Sequence, residues 1–260
     1  MRYWMVGIVP LAAVALIAAD KEPGYLPLHA IDLTKVLPPA PQEGDIRYAT
    51  DRKIFKAMKA RIGSPRWDLA TSDVDLATPA VMRDFACATG IALSPTTTPA
   101  TYRLLDTASR DTSNANNDAK DQYRRLRPFW IDKGETCQPK KDLGKSYDYP
   151  SGHTTKGWTV GLVLADALPD RATPILTRAR AYGESRIVCR VHNFSAVENG
   201  RLSATVTMEA VRATPAYQAD LAAAKAELAA ARASTPAPDA GACAAEAALI
   251  GPSVLAGLKD

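Results

Sequence analysis

Three short motifs, separated by long stretches of chain, constrain the fold most strongly. They read Lys120-x6-Arg127-Pro128, Pro150-Ser151-Gly152-His153 and Ser185-Arg186-x5-His192. The chain has three histidines, and two of them lie in these motifs. Fixed cations suit a tetrahedral oxyanion, and a pair of imidazoles suits a nucleophile with an acid. The sequence therefore requires a fold that brings three distant segments to one anion-binding site.

Length and composition favour a single helical domain. A chain of 260 residues can bury one sizeable core, and 47% apolar with 23% charged residues is ordinary for a globular protein. Abundant alanine and few aromatic residues favour helices. The formal charge of +4 would help to attract anions, but the basic residues are scattered, which argues against nucleic-acid binding. We predict an all-α, compact single-domain helical bundle.

Residues 1–19 are typical of a secretory signal peptide. Arg2 provides a positive start, residues 5–17 are mostly apolar, and Ala18-Ala19 provide small residues near a cleavage point. An uncleaved membrane anchor is the alternative, although a membrane span usually needs about 20 apolar residues. No later run is long enough to span a bilayer. We therefore expect a periplasmic or secreted protein without stable membrane insertion after processing.

Export makes disulfide bonds the expectation for the cysteines. These are Cys87, Cys137, Cys189 and Cys243. Three pairings are possible, and their spacing does not choose between them. A zinc site is not indicated, because no two cysteines are close together in the sequence.

The helical pattern begins after a proline-rich N-terminal arm at 20–45, and we assign 46–233 to the helical domain. A Pro/Ala linker and C-terminal tail follow at 234–260. Proline, glycine and charged residues predict a long loop at 128–150. The predicted helices cover about 45–62, 78–88, 98–109, 115–126, 152–167, 171–187, 194–212 and 214–233.

The first two motifs carry complementary chemistry. Lys120 and Arg127 are seven residues apart, so on a helix they would share a face, although a solvated basic face is the alternative. Ser151 is a good N-cap, and Gly152 would let a ligand approach the helix N-terminus, where free N–H groups bind anions. His153 could then donate a proton to a leaving oxygen. A capped helix with a surface histidine is its alternative.

The third motif completes this set. Arg186 would add a cation, and His192 could attack phosphorus through a neutral ring nitrogen. Taken alone, these two residues are better interpreted as a helix-terminal arginine and a core histidine. Taken together, the motifs indicate phosphoryl transfer in which fixed cations replace a metal. We therefore expect neither a cofactor nor a metal.

These motifs resemble the signature of the type 2 phosphatidic acid phosphatase superfamily, which includes vanadium haloperoxidases, and more narrowly the bacterial class A non-specific acid phosphatases. The likeness includes Leu37 to Pro41, Gly63 to Trp67, Ala119 to Phe129, Tyr149 to His153, Gly183 to Cys189 and the helix after Pro215. It implies the helical fold of that superfamily, a periplasmic homo-oligomer, and metal-independent hydrolysis of small phosphomonoesters.

The resemblance also implies roles for individual residues. The phosphate-binding residues would be Lys120, Arg127, Ser151, Gly152 and Arg186. His192 would be the nucleophile, forming a phosphohistidine, and His153 the general acid. Two matching cysteine positions imply a Cys137–Cys189 pair, which leaves Cys87 to pair with Cys243.

One position departs from the family pattern. The family motif continues His-x-x-x-Asp, and this Asp orients the nucleophilic imidazole, but the chain has Ala196 there. Loss of such a carboxylate from a serine-protease triad costs about 10⁴ in rate. Glu198 is a candidate substitute, although six residues from His192 is a poor helical spacing. A backbone carbonyl or a water molecule is the other possibility.

Three further functions remain as alternatives. A vanadate-dependent haloperoxidase would bind vanadate with the same phosphate-binding residues, but the chain is short and its flanking segments resemble the phosphatases. A phosphoester-binding protein with weakened catalysis would follow from the alanine at position 196. A membrane lipid phosphatase is disfavoured, because only the first 19 residues are apolar enough to span a membrane.

Overall fold

The computed structural model describes residues 21–144 and 146–258 and contains no β-strand within these ranges. The prediction of an all-α, single-domain fold is confirmed. The helices are α1 (Ile46–Ala57), α2 (Pro65–Ser72), α3 (Thr78–Asp84), α4 (Ala86–Thr89), α5 (Pro99–Tyr123), α6 (Pro128–Ile131), α7 (Gly152–Ala167), α8 (Ala172–Val188), α9 (Phe194–Arg212), α10 (Pro215–Ser234) and α11 (Ala240–Ile250).

Helix α5 is continuous where the sequence predicted two helices. The polar residues between the two predicted segments interrupted the apolar stripe, but they remain helical because the N-terminal arm satisfies them. Asp111 is buried and accepts hydrogen bonds from the backbone N–H groups of Tyr25 (2.7 Å) and Leu26 (3.0 Å). The arm therefore covers a polar stretch that would otherwise be costly to bury.

Helix α2 was not predicted, since Gly63-Ser64-Pro65 was interpreted only as the end of the preceding helix. The same residues begin a new one: the Ser64 side chain accepts from the N–H of Trp67, and Pro65 occupies the first turn. Proline is favoured there because the missing N–H would have no partner inside the helix. A 3-10 turn at Met58–Arg61 follows α1, and α2 starts four residues after that turn ends.

Helix α7 lies at the centre of the bundle and packs against α5, α8 and α9. Its contact with α8 is close because two glycines face that helix. A methyl group at Gly157 would lie 2.3 Å from Cδ1 of Tyr182, and one at Gly161 would lie 2.5 Å from Cβ of Ala179. This close approach fixes the N-terminus of α7 relative to the C-terminal end of α8, and these two ends carry the second and third motifs.

Two disulfide bonds attach outer segments to this core. The structure pairs Cys137 with Cys189 and Cys87 with Cys243, as the resemblance implied. The first bond holds the segment between α6 and α7 against the end of α8. The second joins α11 to α4, so the tail carries a helix that packs on the body of the protein.

The proposed signal peptide at 1–19 lies outside the described residues. Within the part of the chain that the structure describes, no helix combines the length and apolar character needed to cross a bilayer.

The glycine contact between α7 and α8 gives a testable prediction. Gly161→Ala should lower the free energy of unfolding by about 1–3 kcal/mol, because the added methyl group overlaps Ala179 in a packed interior. Urea unfolding followed by circular dichroism measures this change. Gly152→Ala on the same helix is the control, since its methyl group would meet no atom closer than 3.7 Å. Equal stability of Gly161→Ala and the wild type would contradict the proposed close packing.

Candidate active site

The first motif spans the end of α5 and the start of α6. Lys120 lies in the last turn of α5, and Arg124 ends that helix with a left-handed backbone conformation (φ 49°). The chain then returns so that Arg127 precedes α6. The predicted shared helical face is therefore not formed, but Lys120 and Arg127 are both buried and both face the other motifs. A turn, rather than a continuous helix, brings the two cations together.

The second motif begins α7 as predicted. The buried Ser151 is the N-cap, and its hydroxyl accepts from the N–H of Thr154. A methyl group at Gly152 would lie 3.7 Å from Nζ of Lys120. The helix N-terminus therefore adjoins the first motif, and its N–H groups and dipole add to the positive charge there.

The third motif forms the turn between α8 and α9. Arg186 lies in the last turn of α8, and its carbonyl accepts from the N–H of His192 (3.3 Å). Arg127 reaches this turn and donates from Nη1 to the Val191 carbonyl (2.9 Å) and to Nε2 of His192 (3.0 Å). The first and third motifs therefore meet at the imidazole of His192.

Three buried cations lie around this imidazole. Burial lowers the pKa of Lys120 to about 8, and the charge of Arg127 contributes. Burial likewise lowers the pKa of Arg127 and of Arg186 to about 10, and Arg127 also acts on Arg186. Repulsion among buried like charges is unfavourable, and an anion placed between them would relieve it.

Two buried donors in this region have no hydrogen-bond partner among the described residues. They are Nε of Arg186 and Nδ2 of Asn116. Asn116 was absent from the sequence prediction. Its Oδ1 accepts from the Thr155 hydroxyl (2.8 Å), and its Nδ2 lies 3.8 Å from the position of a methyl group at Gly152. The amide is therefore a further donor beside the first turn of α7.

The tautomer of His192 follows from its two neighbours. Nδ1 lies 2.9 Å from Oδ1 of Asp148, a carboxylate that can only accept, so Nδ1 carries the proton. Nε2 faces Arg127, which can only donate, so Nε2 carries the lone pair. Burial and the charges of Arg127, Lys120 and Arg186 lower the pKa of His192 well below its ordinary value. The ring is thus a neutral base with its lone pair among the cations.

Glu198 was one of the candidates for the orienting group, and the structure pairs it with Arg201 instead of this imidazole. Its carboxylate is partly exposed and pairs with Arg201, three residues along the same helix face. Asp148 occupies the place beside His192 instead. Sequence spacing concealed it, because Asp148 lies 44 residues before His192 in a predicted loop, although it directly precedes the Tyr149-Pro150-Ser151 motif.

His153 is partly buried and lies in the first turn of α7. Its Nε2 donates to the Val74 carbonyl (2.9 Å), which leaves Nδ1 as the nitrogen that can gain or lose a proton. Burial lowers the pKa of His153 well below its ordinary value, and the charges of Arg186 and Arg127 contribute. The same cations therefore act on both histidines.

This arrangement can bind a tetrahedral anion, attack it with a neutral imidazole and protonate a departing oxygen. In the described part of the chain, no group of three or more His, Cys, Asp or Glu residues is placed to hold a metal ion. The predicted phosphate-binding residues and both predicted histidines thus meet in one region, while Glu198 lies outside it.

Known proteins match this chain over most of its length. Residues 102–219 match the PAP2 superfamily. The chain is 39% identical over 214 residues to an acid phosphatase of Zymomonas mobilis, covering 81% of this chain and 80% of the relative. It is 33% identical over 223 residues to a non-specific acid phosphatase of Salmonella typhimurium, covering 84% and 89%. A non-specific acid phosphatase of Providencia stuartii is 34% identical over 200 residues, covering 76% and 81%. The chain therefore belongs to the non-specific acid phosphatases of the PAP2 superfamily and is a phosphoric monoester hydrolase.

Proposed function

We propose that this enzyme hydrolyses small phosphate monoesters through a phosphohistidine at His192, with protein cations in place of a metal. One observation carries the proposal: the lone pair of a neutral imidazole lies among three buried cations. A phosphate group is the ligand that such a site suits, because its oxygens match the cations while its phosphorus accepts the lone pair.

In the first step, Lys120, Arg127 and Arg186 bind the non-bridging oxygens, with N–H groups at the start of α7 and the Asn116 amide as further donors. Nε2 of His192 attacks phosphorus, a P–N bond forms, and the P–O bond to the leaving group breaks. His153 gives a proton from Nδ1 to the leaving oxygen, so the product departs as an alcohol.

In the second step, His153 accepts a proton from a water molecule whose oxygen attacks phosphorus. The P–N bond breaks, its electron pair returns to Nε2, and inorganic phosphate leaves. The cations stabilise charge on the phosphoryl oxygens in both steps, and positioning with electrostatic stabilisation supplies most catalysis in phosphoryl transfer.

We also propose that the enzyme works outside the cytoplasm, in the periplasm or after secretion, as a homo-oligomer. The predicted signal peptide and two disulfide bonds support an oxidising compartment. The oligomer is an expectation from the family resemblance. Size-exclusion chromatography with light scattering would measure its mass.

The proposed intermediate gives a direct prediction. Rapid alkaline quenching during turnover of ³²P-labelled phosphoester, followed by mapping under alkaline conditions in which a P–N bond persists, should find the label on the peptide that contains His192. His192→Ala should abolish turnover and labelling, because Nε2 of His192 is the proposed nucleophile, while inorganic phosphate should still bind. Turnover should survive chelator treatment. Label on another residue, or chelator inhibition reversed by a divalent metal, would contradict the mechanism.

The low pKa values of both histidines predict an acidic optimum. His192 must be neutral to attack, and its lowered pKa keeps it neutral below the ordinary histidine range, so kcat/KM should fall only at a pH below that range. His153 must be protonated to act as an acid, and its lowered pKa means that this form is lost as pH rises, already below neutrality. The kcat/KM profile with p-nitrophenyl phosphate should therefore peak on the acid side of pH 6.5.

The variant His153→Ala assigns the alkaline limb of this profile. Without His153 as the proton donor, kcat/KM should be lower at acid pH. The profile should also lose its decrease on the alkaline side, which reports the deprotonation of His153. An optimum above neutrality in the wild type, or an unchanged alkaline limb in the variant, would contradict the roles given to the two histidines.

A further inference from the structure

We propose that Asp148 is the positioning residue for His192, and that it replaces a carboxylate which the related motif carries at the position of Ala196. This inference rests on the proposed function, since it concerns how the nucleophile is held. It also explains how the site can keep a working histidine although the expected Asp is absent from α9.

The carboxylate of Asp148 is fully buried and faces donors on both oxygens. Oδ1 accepts from Nδ1 of His192 (2.9 Å) and from the backbone N–H of Asn193 (3.1 Å). Oδ2 accepts from Nδ2 of Asn193 (2.7 Å) and lies 3.4 Å from Nη1 of Arg125. Burial raises the pKa of Asp148, but the charge of Arg125 and the donors on both oxygens oppose this effect and favour the ionised form.

These contacts restrain the imidazole in two ways. The bond to Nδ1 fixes the tautomer with the lone pair on Nε2, and the bonds to Asn193 fix the backbone and side chain next in sequence. Ring rotation would therefore break a charge-assisted hydrogen bond inside a buried site. Asp148 can also stabilise the positive charge that the ring gains when Nε2 bonds to phosphorus.

Asp148 is itself held from the opposite side. Its backbone N–H donates to the Arg125 carbonyl (2.8 Å), and the Arg125 side chain donates to Asp51 (2.7 Å) and to Ser195 (2.7 Å). Asp51 also accepts from the backbone N–H of Ser195 (2.8 Å). This buried network links α1, the segment after α5 and the start of α9, so it fixes the carboxylate independently of His192.

Position 196 lies close to the same place. The carbonyl of Ala196 accepts from the N–H of Ser151 (2.9 Å), three residues after Asp148, and the Ala196 side chain is fully buried. Two ionised carboxylates beside one imidazole would repel each other, and one would be driven to protonate. Alanine at position 196 therefore avoids a second carboxylate beside His192 and is compatible with the carboxylate of Asp148.

The test compares Asp148→Asn, Asp148→Ala and the double variant Asp148→Ala/Ala196→Asp, with Glu198→Ala as the control. Each single Asp148 variant should lower kcat by about 10²–10⁴, near the loss known for a carboxylate that orients a catalytic histidine. KM should change less than about threefold, because the phosphate cations remain. The double variant should recover at least about tenfold over Asp148→Ala, and Glu198→Ala should stay within about twofold of wild type.

Two readouts separate positioning from a structural role. Asp148 favours the protonated form of His192, so its removal should move the acid limb of the kcat/KM profile to lower pH. The wild type should show a downfield ¹H NMR resonance for the Nδ1 proton of His192, which Asp148→Asn should lose. Asn keeps the shape of the side chain, so this variant remains informative if Asp148→Ala does not fold.

Two outcomes would overturn the inference: kcat within about threefold of wild type in Asp148→Asn, or a loss of activity without a shifted acid limb and without recovery in the double variant. A wild-type enzyme that turns over with no label on His192 would instead defeat the proposed mechanism. The NMR resonance would still report on the hydrogen bond in that case, so the two failures can be distinguished.

Discussion

Mutual repulsion among Lys120, Arg127 and Arg186 is the constraint on which the rest of the site depends. These cations are buried together, and each has a lowered pKa because burial disfavours its charge. The fold must therefore hold them in place without cancelling their charge. It does so largely with neutral acceptors, since Arg127 donates to the carbonyls of Ser146 and Val191, and Arg186 donates to the Gln138 amide.

The carboxylate of Asp148 is a charged group near these cations, and its position explains why it does not neutralise them. It raises the pKa of both Lys120 and Arg127, so it offsets part of their repulsion. Its hydrogen bonds, however, go to Nδ1 of His192 and to Asn193, on the side of the ring away from Nε2. One buried anion therefore stabilises the cations and orients the base, while Nε2 stays on the side of Arg127, which donates to it.

The sequence allowed much of this site to be predicted, because short motifs encode local structure. Ser151 is a favoured N-cap residue and marks the start of α7, and the Arg186–His192 segment forms one turn between two helices. Long-range contacts could not be predicted in this way. No local sequence pattern identifies Asp148 or Asn116 as a site residue, and their roles depend on packing among α5, α7 and the α8–α9 turn. Glu198 was chosen for its closeness in sequence, whereas its nearest partner proved to be Arg201.

The same distinction applies to the fold. Helix α5 is continuous because the N-terminal arm satisfies Asp111, a contact between residues 86 positions apart that no periodicity reveals. The sequence also does not indicate which glycines of α7 face α8, although Gly161 permits the close approach to Ala179 that aligns the second and third motifs. Tertiary contacts of this kind determine the geometry, while propensity determines only which segments are helical.

A crystal structure of the enzyme with vanadate would test the central claim most directly, because vanadate adopts the five-coordinate geometry of a phosphoryl-transfer transition state. We predict vanadium bonded to Nε2 of His192, with Lys120, Arg127 and Arg186 on its equatorial oxygens and His153 near the apical oxygen opposite His192. Vanadate bound elsewhere, or bonded to a group other than His192, would contradict the account.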